Sequence, residues 1–203
     1  MPDSTSTAKR PSRFKRDKQT RSRVGHDDYT RSGYDRGHMA PNHGIALRYG
    51  KNGQRDTFMM SNIVPQQPAL NQGPWRILEA RISGYAEKLE EVFVITGPLY
   101  AETPKFLPIG VEVPDAFFKV VVDIEGTTPR VLAFVLPQGT PRKAKPAKFL
   151  VSVDQIEAQS GFDLFHELQD PLEDRWEAVA APGMWWTAAA RVSTAPPQSR
   201  SAS

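Results

Sequence analysis

Asp35, Arg36 and His38 fall within four positions, Asp-Arg-Gly-His, and are followed by Met-Ala-Pro. Histidine is the side chain best suited to accept a proton near neutral pH. Arginine keeps its charge, and its planar fork matches phosphate oxygens. A base beside a phosphate clamp is equipment for cleaving a phosphodiester rather than for acyl transfer. Asp35 fits as a partner for an arginine or as a brace for the loop. Farther along, Asn71 and Glu79 stand eight residues apart, about 80° around a helix, so both can face one cleft. A helix N-terminus favours anions, and an amide oxygen with a carboxylate suits a hard cation such as Mg²⁺. A plainer reading stays open, with Asn71 a helix cap and Glu79 a surface acid. Asn62, at a strand end before Ile-Val-Pro, reads as a turn residue unless its neighbours are active.

These residues need elements to hold them. Residues 71–90 read as a helix, because Leu78, Ile82, Tyr85 and Leu89 recur on one face. Asn71 is the predicted N-cap, with Pro74 in the first turn. Residues 56–64 read as a strand. Residues 91–100, 115–125 and 130–137 are rich in β-branched and aromatic residues and read as central strands, with EGTTP as a hairpin turn. Residues 151–161 predict a strand feeding a short helix, with Asp154 and Glu157 at capping-box spacing. Residues 13–33 show no period and read as irregular chain. Strands in runs with few helices predict an α+β domain.

The 203 residues suffice for one domain with a buried core. Residues 1–12 read as a disordered basic arm, 13–186 as the domain, and 187–203 as a flexible low-complexity tail. No cysteine is present, which excludes disulfides and thiolate metal sites. No apolar run approaches the roughly 18 residues of a membrane helix, so no membrane partner is expected. The first residues carry no secretory signal. The net charge of +3 is uneven. Residues 1–40 hold ten Lys or Arg against five acids, whereas the rest hold sixteen against eighteen. That basic excess beside the Asp-Arg-Gly-His stretch draws a polyanion; a solvated arm with no partner is the alternative.

Taken together, DRGHMAP, SNIVPQ, LNQGPWRILE, VFVITGPLY and PDAFFKVVVD resemble the DNA/RNA non-specific endonuclease family, which includes endonuclease G-type nucleases. The resemblance runs from about Phe14 to Phe165. It implies the ββα-metal nuclease fold, with a central antiparallel sheet of about six strands. It implies a Mg²⁺-dependent endonuclease (with Mn²⁺ as a substitute) that cuts DNA and RNA without regard to sugar. By resemblance, His38 activates the attacking water and Arg36 steadies the phosphate. Asn71 binds the metal directly, Glu79 acts on it through water, and Asn62 and Asp35 support the site. Arg13, Lys15, Arg16, Arg21, Arg23 and Arg31 are the expected nucleic-acid contacts. A homodimer and an inhibitor protein are the further partners the resemblance allows. Bacterial relatives are periplasmic or extracellular, but without a signal peptide the compartment stays open. Family members carry a Trp-Val-x-Tyr-like strand before the basic stretch, and here that strand is expected to be missing.

His26, His43 and His166 read as non-catalytic, and a zinc set of His26, His38 and His43 lacks a recognised spacing. Trp185 and Trp186 read as packing residues sooner than base-stacking ones. Two competing functions remain: a decayed module that binds nucleic acid without cutting, and a narrower phosphodiesterase for small nucleotides.

Overall fold

The structure is a computed structural model that describes residues 10–89, 91–125 and 129–185. Strand β1 (Asp35–His38) and strand β2 (Ile63–Gln66) pair antiparallel, with Asp35 opposite Gln66 and His38 opposite Ile63. Helix α1 (Asn42–Asp56) connects them. Gly37 is required by close approach: a Cβ there would lie 2.5 Å from Oε1 of the fully buried Gln66. After β2 the chain forms a short α2 (Pro68–Leu70), a π-helical turn at Asn71–Trp75 and α3 (Arg76–Ala86). The π turn has a local cause. Gly73 leaves helical geometry, and a Cβ on it would sit 2.5 Å from the Arg142 carbonyl oxygen. Pro74 follows, with no N–H to give to a regular helix.

The remaining elements are β3 (Phe93–Leu99), β4 (Lys105–Phe106), β5 (Glu112–Val113), β6 (Ala116–Asp123), β7 (Arg130–Pro137), β8 (Leu150–Val151), α4 (Val153–Ser160) and α5 (Asp170–Glu177). The main sheet is antiparallel in the order β3-β6-β7-β8, while β4 and β5 pair separately. Both faces of this sheet are covered. Phe117 and Val121 of β6, with Leu132, Phe134 and Leu136 of β7, pack on Trp75, Leu78, Ile82 and Tyr85. Phe118, Val120 and Val122, with Ala133, pack on Val153 and Ile156 of α4. A strand buried on both faces loses the alternation of a half-exposed one, hence the nearly unbroken apolar run of β6. Each such large side chain contributes about 1.5–3 kcal/mol on burial. Lys119 interrupts that run, and by the two-residue period it shares the α3 side of the sheet with Phe117 and Val121.

The α+β class stands, and β7 spans the predicted 130–137. Several expectations need correction. The largest sheet has four strands among the described residues, not six, because β1–β2 and β4–β5 pair apart from it. Of the predicted strand 56–64 only Ile63 and Val64 lie in β2, which runs Ile63–Gln66 after a 3-10 turn at Met60–Asn62. Asn71 is no N-cap: helical chain already begins at Pro68, and Asn71 opens the π turn. The capping box of α4 is Ser152 with Gln155, not Asp154 with Glu157. In the stretch read as irregular, His26–Tyr29 forms a 3-10 turn, and Lys15 bridges to Met59. The arm at 1–9, most of the EGTTP turn, Trp186 and the tail lie outside the described residues.

Candidate functional site

One cleft, of about 530 Å³, is lined from both halves of this β–β–helix unit. β1 contributes Asp35, Arg36 and His38; the π turn contributes Asn71 and Gln72; α3 contributes Arg76 and Glu79. Arg10 and His43 also line it.

The π turn and β1 are locked together by Asp35. Its Oδ2 accepts from Asn71 Nδ2 at 2.8 Å and from Gln72 Nε2 at 2.9 Å. With the amide nitrogen of Asn71 committed to Asp35, its oxygen is left as the end able to ligate a cation. Gln72 passes the order on, since its Oε1 accepts from Arg142 Nη1 at 3.4 Å.

His38 is half-buried against two aromatic rings. Phe14 and Phe58 each lie 5.2 Å from it, centroid to centroid. Burial, reinforced by the positive charge of Arg10, depresses its pKa to about 4. Its Nε2 is sealed from solvent with no hydrogen-bond partner. The ring is therefore neutral throughout the physiological range. Arg36 is held by its neighbours. Its Nε and Nη2 donate to the His26 carbonyl at 2.9 and 2.6 Å, and Nη2 also reaches Thr30 Oγ1 at 3.2 Å.

Glu79 has its Oε1 buried and without a hydrogen-bond partner, as is Nε1 of nearby Trp75. Burial raises its pKa, opposed by the ammonium of Lys119 and then by the Trp75 indole. Lys119 is fully buried beneath it. Its Nζ donates to Thr96 Oγ1 at 2.6 Å and lies 4.6 Å from the Trp75 ring centroid. Burial lowers the pKa of Lys119 to about 8, with Glu79 pulling the other way.

Asn62 does not line the cleft. Its Oδ1 accepts from Ala40 N at 2.8 Å, and its Nδ2 donates to the carbonyls of Ala40 and Thr57, each at 3.0 Å. It staples the segment after His38 to the turn before β2, so its position is that of a brace.

The cleft thus lies between β1, with its Asp-Arg-Gly-His run, and the π turn and α3, with Asn71 and Glu79. The profile of the DNA/RNA non-specific endonuclease family covers residues 1–171. The chain belongs to this family. Human mitochondrial endonuclease G is 36% identical over 154 residues, 68% of this chain and 50% of that protein. The nuclease of Serratia marcescens is 33% identical over 146 residues, 68% of this chain and 53% of that one. A solved structure of the EndoG/EndoGI complex superposes with a TM-score of 0.64 at 28% identity, covering 72% of this chain and 65% of that one. The chain thus spans about half the length of the curated relatives named here.

For this endonuclease-family chain, the six basic residues expected to touch nucleic acid do not line the cleft. Arg13 and Lys15 line a second groove of about 440 Å³, with Asn52, Arg55 and Phe58. Arg13 pairs with Asp27 at 2.7 Å, both well exposed, and Arg16 lies against Gly25. Arg21 and Arg23 are exposed, and Arg31 holds a turn at φ 63°. Besides Arg36, the cleft is lined by two further cations, Arg10 and Arg76, which the sequence reading did not single out. Lys119 was missed as well, although a lysine inside an otherwise apolar strand was a visible signal. His26 accepts the Phe14 amide on Nδ1 at 3.2 Å and takes no part in a cluster with His38 and His43 among the described residues.

Proposed function

We propose that this chain is a metal-dependent endonuclease that hydrolyses phosphodiester bonds in DNA and RNA with little regard to sugar. The observation that carries this reading is the convergence of His38, Arg36, Asn71 and Glu79 on one cleft. The donor set fits a hard divalent cation. Asp35 orients the Asn71 amide so that its oxygen is available, and Glu79 offers a carboxylate oxygen without a protein partner. Magnesium, or manganese in its place, would be held by Asn71 and approached by Glu79 through water. When bound, it supplies positive charge for the developing phosphate charge and the leaving oxygen.

The chain's own residues do the rest. His38, neutral at physiological pH, takes a proton from the attacking water. With Nε2 sealed among aromatic rings, Nδ1 is the nitrogen that faces the reaction. An anionic phosphate in the cleft raises the basicity of this ring, opposing the effect of Arg10. Arg36, pinned by the His26 carbonyl, presents its remaining donors to the phosphate. Asp35 and Asn62 keep these groups in register. Contacts confined to phosphate would make cutting tolerant of base and sugar. The groove lined by Arg13, Lys15 and Arg55 shares Phe58, whose ring touches His38, and would take the flanking backbone. An inhibitor protein is a reasonable partner, since the EndoG of the superposed structure is seen with EndoGI. A homodimer belongs to the same proposal by family likeness.

The experiment is cleavage of plasmid DNA and of RNA by the purified chain with Mg²⁺, with EDTA, and with His38→Ala. Both substrates are expected to be degraded with Mg²⁺ and preserved in EDTA. A His38→Ala protein that is folded and cuts at the parent rate overturns the mechanism. Salt-sensitive binding without turnover under any divalent metal would instead support the binding-module reading.

A further inference from the structure

Far along the chain from the cleft residues, five carboxylates gather where α4, the following loop and α5 meet. Asp154 and Glu157 project from α4, Asp163 from the loop, and Glu173 and Glu177 from α5. They form two triads that share Glu177. In the first, Asp154, Glu157 and Glu177 each place a carboxylate oxygen within 4.8 Å of the others; in the second, Asp163, Glu173 and Glu177 do the same. None of the five is ion-paired among the described residues.

Glu177 sets this cluster apart from an ordinary acidic surface. It is only 6% exposed, and its Oε1 is sealed from solvent without a hydrogen-bond partner. A buried carboxylate that belongs to both triads, with one oxygen unpartnered, has a large desolvation cost and like-charge repulsion, which a bound cation or a proton shared between carboxyls would offset. The chain has nonetheless organised the loop around it. Leu164 N donates to Glu157 Oε1 at 2.6 Å, which fixes one oxygen and leaves the other to the cluster. The turn is set by Gly161, left-handed at φ 71°. Trp176 packs edge-on against Phe165 beside it, with ring centroids 6.0 Å apart.

The chemistry selects the ligand. All donors are carboxylate oxygens, so a hard cation is required and soft metals are disfavoured. Carboxylates drawn from two helices and a loop allow mixed one- and two-oxygen contacts, which suits Ca²⁺ with its six to eight oxygens. Mg²⁺ keeps its water and demands a stricter octahedron. We propose that Glu177 is the central ligand of a calcium site that clamps α5 to α4, with Asp154, Glu157, Asp163 and Glu173 around it. The site is separate from the Asn71 cleft and does not depend on the nuclease reading.

Terbium luminescence excited through tryptophan tests this, since Trp176 adjoins Glu177 in sequence. The probe is Tb³⁺ added to the EDTA-treated chain, followed by competition with Ca²⁺ or Mg²⁺. A saturable signal is expected, displaced by Ca²⁺ at far lower concentration than by Mg²⁺, kept in Asn71→Ala and lost in Glu177→Gln. In parallel, Ca²⁺ at a hundred-fold excess over its Kd should raise the Tm of the parent by about 5–10 °C. Should Glu177→Gln fail to fold, Asp154→Asn combined with Asp163→Asn removes one exposed ligand from each triad and should weaken Tb³⁺ binding at least about ten-fold. A signal unchanged in these variants, or one lost in Asn71→Ala and kept in them, overturns the proposal. So does a parent whose Tm ignores Ca²⁺.

Discussion

Glu79 and Glu177 each hold one carboxylate oxygen away from solvent without a hydrogen-bond partner, yet their surroundings have opposite sign. Behind Glu79 stands the buried ammonium of Lys119, which lowers the cost of its charge. Around Glu177 stand Glu157, Glu173 and Asp154, which add to the cost that burial imposes. Burial alone would push both carboxyls toward the neutral acid. One region carries its compensating cation inside the fold; the other needs a cation from solution or a proton. In the proposed site Lys119 thus opposes part of the upward shift that burial gives Glu79, whereas Glu177 makes local stability depend on what it binds.

The largest effects should fall on the Glu79 side and on activity. His38→Ala is expected to reduce cleavage by about 10²–10⁴-fold, read from initial rates on plasmid DNA with the fold checked by circular dichroism. Glu79→Gln should cost about 10–100-fold, whereas Glu177→Gln should cut at the parent rate in the same assay. Equal losses in both variants would erase the distinction between the two acids.

Next comes a shift in pH dependence. Lys119→Met removes the charge that restrains the pKa of Glu79, so that pKa rises further. If Glu79 must be ionised, the acidic limb of kcat/KM moves to higher pH in this variant, and a limb that stays in place refutes the role of Lys119. Met fills the same volume, but it leaves Thr96 without the Lys119 ammonium, so the comparison is made on folded protein.

Stability supplies the converse test. Burial and the neighbouring acids lift the pKa of Glu177 from 4.5 to about 8. The folded chain then binds more protons than the unfolded chain between these values, so metal-free stability falls as pH rises from about 4.5 to about 8. Urea unfolding in EDTA across that range should show the decline; Ca²⁺ or Glu177→Gln should flatten it. The smallest effect is expected from Lys15→Ala in the second groove. It should weaken DNA binding a few-fold and reduce the slope of log affinity against log salt by about 0.9, the value of one phosphate contact.

Much of the fold was legible because its signals are local. β7 was read over 130–137, and β3 and β6 were found with ends a few residues too long, since runs of Val, Phe, Ile and Leu announce buried strands. Helix α1 gave no such signal. Its only buried residue is Gln54, its Leu47 and Tyr49 are exposed, and it kinks at Gly50. Its stability comes from its neighbours rather than from its own periodicity. The π turn was equally hidden. Asn71 resembles a cap in sequence, and only the approach of the Arg142 backbone to Gly73 explains why helical geometry breaks two residues later.

Residue order alone marks which side chains could do chemistry. Asp35, Arg36, His38, Asn71 and Glu79 stand out by residue type and spacing, because protonation, charge and ligand hardness belong to the side chain, while the roles given them rest on the family resemblance. Tertiary structure decided what surrounds each one. It made Asp35 the anchor of Asn71 and turned Asn62 into a backbone staple. It set Lys119 beneath Glu79 and gathered five acids from α4 to α5 around Glu177. The physical reason is that desolvation and Coulomb energy depend on neighbours distant in sequence, and only the packed chain brings those neighbours within reach.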